Sequence, residues 1–215
     1  KEIKPLPSIF SRYAATFAKL GYSIDMGQSY FLLKQQLPKA VVEITGNKTE
    51  KWVGIAPFAH YESKTYPLDL MQNVIDESVN ENVKIMLLGG GKHQAQLLDT
   101  LKGNHQNIYN FANNISFEEE LHLISNLDVM LSMDSGNAHL AAMYGVKTIT
   151  LWGATHPYSG FAPYNQPIEN CIVSSREQYP FLPTSIYGNK KVKGYEEAMR
   201  SISSETVVSK VKLLL

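Results

Sequence analysis

From Lys51 onward the chain alternates short apolar runs with longer stretches of helical spacing. Trp52–Pro57, Val83–Leu88, Ile108–Phe111, Asp128–Ser132 and Val146–Trp152 each read as a strand. Between them lie helical patterns from Pro67 to about Glu81, Lys92 to Leu101, Ser116 to about Asn126, and Gly136 to Tyr144. Ser116-Phe117-Glu118-Glu119 has the spacing of a capping box, and Gly145 stops the last of these helices. Several strands are almost continuously apolar, as in sheets covered on both faces. The pattern therefore predicts βαβ units, hence an α/β fold with a Rossmann-like parallel sheet and helices on both faces. Ligands of such sheets sit beyond the carboxyl ends of the strands.

The flanks are less regular. Ile9, Tyr13, Phe17 and Leu20 share one helical face, with Gly21 as a stop, so Ser8–Leu20 is expected to be a helix. Ala40–Ile44 is expected to be a strand. Residues 154–194 read as loop, and Tyr195–Leu215 as a closing C-terminal helix. This divides the chain into residues 1–50, 51–194 and 195–215.

The strongest candidate chemistry lies where the strand Asp128–Ser132 gives way to a helix. A helix N-terminus presents unpaired N–H groups and partial positive charge, a natural anion site. Gly136 lets an anion approach the backbone closely, Ser135 offers a hydroxyl, and His139 lies one turn on. Asp134 is unsuited to touch phosphate, and is expected to accept from sugar hydroxyls or brace the turn. On spacing alone, Asp134 or Ser135 could equally cap the helix, with His139 a core residue. A second turn, Ala56–His60 followed by Ser63–Pro67, places Lys64 near the same sheet edge. Spacing alone favours a solvated lysine there. Gly89-Gly90-Gly91-Lys92-His93-Gln94 is no dinucleotide or Walker fingerprint, yet a nucleoside could lie on Gly90 and Gly91 with Lys92 or Gln94 reaching a ribose. Gly153-Ala154-Thr155-His156-Pro157 could line the cleft or simply connect.

Composition narrows the field. Lysine plus arginine and aspartate plus glutamate number 20 each, which argues against a nucleic-acid binder. The single cysteine, Cys171, excludes an intrachain disulfide or cysteine metal cluster and fits a reducing compartment. There is no Asp-x-Asp pair, His-Glu-x-x-His or nucleophile elbow, so no metal and no cofactor are expected. No apolar run spans a bilayer. No signal peptide is visible. The chain starts at Lys1 without Met and reads as a fragment.

The run Met133–Ala142 followed by Gly145–Thr155 resembles glycosyltransferase family 9, the heptosyltransferases of lipopolysaccharide synthesis and their relatives. Its Asp-Ser-Gly-x-x-His-x-x-Ala core is followed by a strand and the Gly153–Pro157 turn, and Lys64-Thr65-Tyr66-Pro67 is similar to a further family element with Tyr in place of Trp. The resemblance covers about residues 51–160. It implies the C-terminal half of a GT-B fold, with residues 1–50 as the tail and link of an N-terminal domain. It implies a nucleotide-sugar donor site in which Lys64, Ser135 and Gly136 contact the diphosphate, while Asp134, Asn137 and His139 line it. It implies inverting, metal-independent transfer whose catalytic base lies in the N-terminal half, so no catalytic residue is assigned here. A lipid-linked or oligosaccharide acceptor would also bind that half. The implied setting is cytoplasmic, at most peripheral at the inner membrane face. The family's acidic residue after the glycine turn is replaced by Lys92-His93-Gln94, so the donor is expected to carry UDP or GDP rather than ADP. A non-catalytic nucleotide- or phosphate-binding module is the alternative.

Overall fold

A computed structural model describes residues 3–80 and 82–215. Six parallel strands form one sheet: β1 Lys51–Ala56, β2 Val83–Leu87, β3 Ile108–Asn110, β4 Val129–Met133, β5 Lys147–Trp152 and β6 Cys171–Val173, in the order β3-β2-β1-β4-β5-β6. The helices are α1 Ile9–Lys19, α2 Lys39–Thr45, α3 Leu68–Ser78, α4 Gly91–Lys102, α5 Phe117–Ile124, α6 Gly136–Met143 and α7 Ser204–Leu214.

The period-two direction of strand side chains explains why single strands read as unbroken apolar runs. Val53 and Ile55 of β1 join Ile85, Leu87, Val129 and Leu131 in one core beneath α3, α4 and α7. Trp52 and Ala56 point the other way and pack with Met86 and Met130 beneath α2, α5 and α6. Every strand position from Trp52 to Ala56 is buried, because neither face meets water.

The capping box at Ser116 is present: its hydroxyl accepts the Glu119 N–H, while Glu119 accepts from the Ser116 N–H at 2.8 Å. Four expectations are corrected. Ala40–Ile44 is not a strand but most of α2. Pro38 precedes it, Gly46 closes it at φ 73°, and Val41 and Thr45, one turn apart, supply its buried face. A short β-branched run fits either element, and here docking on the sheet decided for helix. The C-terminal helix starts at Ser204 rather than Tyr195, because Ser203 caps it and Ala198–Ser201 form a separate turn of 3₁₀ helix. The segment read as loop contains β6, three residues long, whose partner β5 supplies what so short a pattern cannot signal. The helix expected to reach about Glu81 ends at Ser78; Glu81, like Lys1 and Glu2, lies outside the described residues.

The expected helix at Ser8–Leu20 is α1, capped by Ser8, yet it buries none of its residues. Tyr13, Phe17 and Leu20 are exposed. The segment is fastened through its start: the Leu6 and Ile9 N–H groups donate to Tyr158 and Gly160 carbonyls, and Arg12 lies over the Phe161 ring. Among the described residues no helix is long and apolar enough to cross a membrane.

Candidate functional site

In this strand order the chain reverses direction across the sheet between β1 and β4, which opens a crevice at their carboxyl ends. Most of the residues singled out by motif gather around that crevice. They form two adjoining groups.

The first group surrounds Asp134, directly after β4. Its Oδ2 accepts the Thr155 hydroxyl at 2.8 Å and lies 2.8 Å from the Lys64 Nζ. Both side chains of the ion pair are largely buried, at 14% and 10% exposure, so this pair is poorly screened. Lys64 is therefore not a solvated surface lysine. It ends a 3₁₀ turn, Glu62–Lys64, and the segment after it is fixed by Tyr66. The Tyr66 N–H donates to the Met133 sulfur and its hydroxyl to the Ile202 carbonyl at 2.8 Å. Burial, reinforced by Glu205 and Asp69, pushes the Tyr66 hydroxyl up to about 12, so it remains a donor. From the other side Ser63 donates to the Gly188 carbonyl at 2.7 Å. Gly188 has φ 78°, and a Cβ there would stand 2.7 Å from Lys64 Cδ. The 184–190 loop thus closes the flank of the lysine.

Asp134 does not cap α6, and neither does Ser135: no side chain accepts from the first-turn N–H groups of that helix. Ser135 Oγ instead lies 3.0 Å from Ser132 Oγ. Gly136 is exposed, and a Cβ added to it would meet nothing within 4 Å. The terminus therefore offers backbone donors to an open space beside a fixed ammonium.

His139 packs half-buried behind this group. Burial lowers its pKa, Asp134 works against that, and Lys64 adds to it. The folded state therefore disfavours the protonated imidazole. A folded state that resists a proton loses stability once the unfolded chain begins to take one. Stability is therefore expected to fall as pH drops below about 6.5, the ordinary histidine value. His139→Gln should flatten part of that slope in melting curves recorded between about pH 5 and pH 8. An unchanged slope would place the effect on His156, which burial and Arg176 shift in the same direction.

The second group lines a cavity of about 370 Å³ over β1, β2 and β4. Phe58, Ala59 and His60 come from the turn after β1; Gly89, Gly90 and Gln94 from the glycine turn and α4; Phe117 and Glu120 from α5; Ser135 and Asn137 from the N-cap and first turn of α6. The Gly90 N–H donates to Gln94 Oε1 at 2.9 Å, so Gln94 is turned back onto the glycine turn. Lys92 is exposed and is not among the residues lining the cavity, nor is Gly91, whose N–H donates to Asn113. Lys64, Asp134 and His139 lie beside the cavity rather than in its wall.

Sequence reading missed Glu120. In the run Glu118-Glu119-Glu120 it passes for dipole complementation, but Glu119 makes the capping box and Glu120 turns inward to accept from Asn137 Nδ2 at 3.4 Å. Burial raises the Glu120 carboxyl above its ordinary value, partly offset by that bond. The available signal was helical: Glu120 stands four residues before the buried Ile124. Among the described residues no three His, Cys, Asp or Glu side chains are grouped to hold a metal.

The protein is thus an α/β chain with a six-stranded all-parallel sheet and a polar cleft at the sheet's switch point. It belongs to glycosyltransferase family 9 (heptosyltransferase), whose family profile matches residues 3–191. No curated protein sequence matches it. Among solved structures, E. coli heptosyltransferase WaaC with ADP superposes with a TM-score of 0.67 at 16% identity, covering 95% of this chain and 56% of that one. E. coli ADP-heptose lps heptosyltransferase II gives 0.67 at 16%, covering 97% and 62%. The glycosyl transferase family 9 protein from Veillonella parvula gives 0.72 at 15%, covering 100% and 62%. The chain therefore has the fold of roughly half of a GT-B heptosyltransferase and spans little more than half the length of these structures.

Proposed function

We propose that this chain is the donor-binding half of an inverting glycosyltransferase, and that its cleft holds the diphosphate of a nucleotide-activated sugar for lipopolysaccharide or a related surface glycan. One observation carries the reading: the uncapped N-terminus of α6 opens, through the exposed Gly136, beside an ammonium that Asp134 and Thr155 hold in place. The helix terminus supplies hydrogen-bond donors and partial positive charge. Lys64 gives one N–H to Asp134 and keeps two for phosphate oxygens. As the bond from the sugar's anomeric carbon to the diphosphate breaks, negative charge grows on the leaving oxygens, and both groups are already in place to stabilise it. This assigns the leaving group without a metal. Two of the similar structures carry ADP and ADP-heptose in their names, which supports a nucleoside diphosphate as the recognised unit. The base that activates the acceptor, and the acceptor itself, are assigned to an N-terminal half preceding residues 1–50, and the setting to the cytoplasm.

Gly136→Val tests the reading. The new side chain meets open space, so unfolding free energy should change by less than about 1 kcal/mol. It would occupy the place of the phosphate, and calorimetric binding of nucleoside diphosphates should be lost. Undiminished binding in a folded variant would refute the diphosphate site.

A further inference from the structure

The charges of this chain are unevenly placed. Residues 3–24 and 178–195 hold six lysines and arginines (Lys4, Arg12, Lys19, Lys190, Lys191 and Lys193) and no aspartate or glutamate. The chain has 20 residues of each sign, so the remainder is left with 14 basic against 20 acidic ones. The two segments are far apart in sequence but adjoin in the fold. The Leu6 and Ile9 N–H groups donate to the Tyr158 and Gly160 carbonyls, Arg12 lies over the Phe161 ring, and that ring packs against Tyr187 with centroids 6.0 Å apart. Large apolar side chains stand out from the same two segments. They are Tyr13, Phe17 and Leu20 on α1 and its C-cap, and Phe181, Ile186 and Tyr187 in the loop, with Phe181 75% exposed. Lys190, Lys191 and Lys193 are exposed too and form no ion pair among the described residues, while Glu197 at their edge is engaged by Arg200.

We propose that this face docks on a bilayer of anionic phospholipid. A helix lying in the membrane interface binds through its buried apolar area together with the attraction of basic residues to anionic headgroups. Aromatic side chains settle at headgroup level. The α1 helix fits this description: it buries none of its residues in the fold, and its only charged side chains, Arg12 and Lys19, are both basic. A protein partner would desolvate these cations and would have to match them with carboxylates, whereas headgroups supply the counter-charge at a wet surface. The lysine loop is also tied to the cleft. Ser63 donates to the Gly188 carbonyl at 2.7 Å, and Gly188 lies against the Lys64 side chain. Docking therefore holds the mouth of the cleft at the lipid surface.

Co-sedimentation of the full chain with vesicles tests this, comparing phosphatidylglycerol and phosphatidylethanolamine in equal parts with phosphatidylcholine alone. The chain should sediment with the anionic vesicles and stay in solution with the neutral ones. The triple variant Lys190→Gln, Lys191→Gln, Lys193→Gln should bind about a hundredfold more weakly, at about fivefold per lysine near the surface. Phe17→Ser with Leu20→Ser should weaken binding by about tenfold. That variant should keep the wild-type melting temperature, because α1 buries no residue. Equal sedimentation with both vesicles, binding to neither, or undiminished binding in the lysine variant overturns the proposal. So does unchanged affinity in the α1 variant, which would mark a contact of charge alone. Dimerisation without lipid that the α1 variant abolishes would give the face to a second copy, and also overturns it. The inference goes beyond the donor-site reading and does not depend on it: nucleoside diphosphate binding is measured without lipid, so either can fail while the other stands.

Discussion

Lys64→Ala is expected to cost the protein both stability and ligand. Truncation leaves Asp134, 10% exposed, with a buried charge and only the Thr155 hydroxyl to satisfy it. Removing one partner of a buried pair typically destabilises by about 3–5 kcal/mol, most of it the penalty on the abandoned charge. The partial exposure of Lys64 puts the expected loss near the lower end, roughly 3 kcal/mol, readable by chemical denaturation. Nucleoside diphosphate affinity should fall by about ten- to a hundredfold, the worth of a hydrogen bond to a charged group. The double variant Lys64→Met with Asp134→Asn separates the two effects. The neutral amide replacing the carboxylate would still accept from Thr155 but carry no charge, so stability should largely return. Binding should not. A double variant that regains affinity along with stability would show that Lys64 only braces the fold.

Gly153→Ala is the second large expected effect, and it arises from a contact rather than from chemistry. A Cβ at this position would stand 2.4 Å from the Ser63 carbonyl oxygen and 2.7 Å from the Met199 Cγ and Sδ. Met199 can adjust; the Ser63 carbonyl cannot easily do so, because it accepts the Ala154 N–H at 3.0 Å and sits one residue before Lys64. Overpacking a core typically costs about 1–3 kcal/mol, and a backbone clash belongs at the top of that range. For a domain of this size the melting temperature should drop by roughly 6–12 °C. The relief movement carries Lys64 away from Asp134, so nucleotide binding should weaken in the same variant. Wild-type melting and affinity would mean that the turn has slack.

These two positions illustrate different degrees of legibility. Lys64 was marked by its place before Tyr66-Pro67, but spacing favoured a solvated side chain. The family resemblance already set it against a diphosphate, and burial opposite Asp134 removes the solvated alternative. Gly153 was legible as the end of a strand, whereas the reason for glycine lies in residues 63 and 199, far away along the chain. Asp134 was expected to touch a sugar hydroxyl or brace the turn, and its described partners, Lys64 and Thr155, are those of a brace. Glu120 was hidden because three successive glutamates look alike until the helix assigns them different directions.

Local rules suffice for the alternation of elements, the parallel sheet with both faces covered, the caps at Ser8 and Ser116, and a glycine-opened helix terminus after β4. Those rules are the period of apolar side chains, the N–H groups a helix leaves unpaired, and the φ a glycine tolerates, and all of them are written in neighbouring residues. What they leave degenerate was settled by packing. Ala40–Ile44 became helix because Val41 and Thr45 found the sheet one turn apart. Glu120 was turned into the cavity, and Lys64 and Thr155 were brought to one carboxylate oxygen from opposite sides of it along the chain. The anion site proposed at Asp134-Ser135-Gly136 is written in one stretch of sequence because a helix end is local, while the lysine proposed to complete it lies far away along the chain.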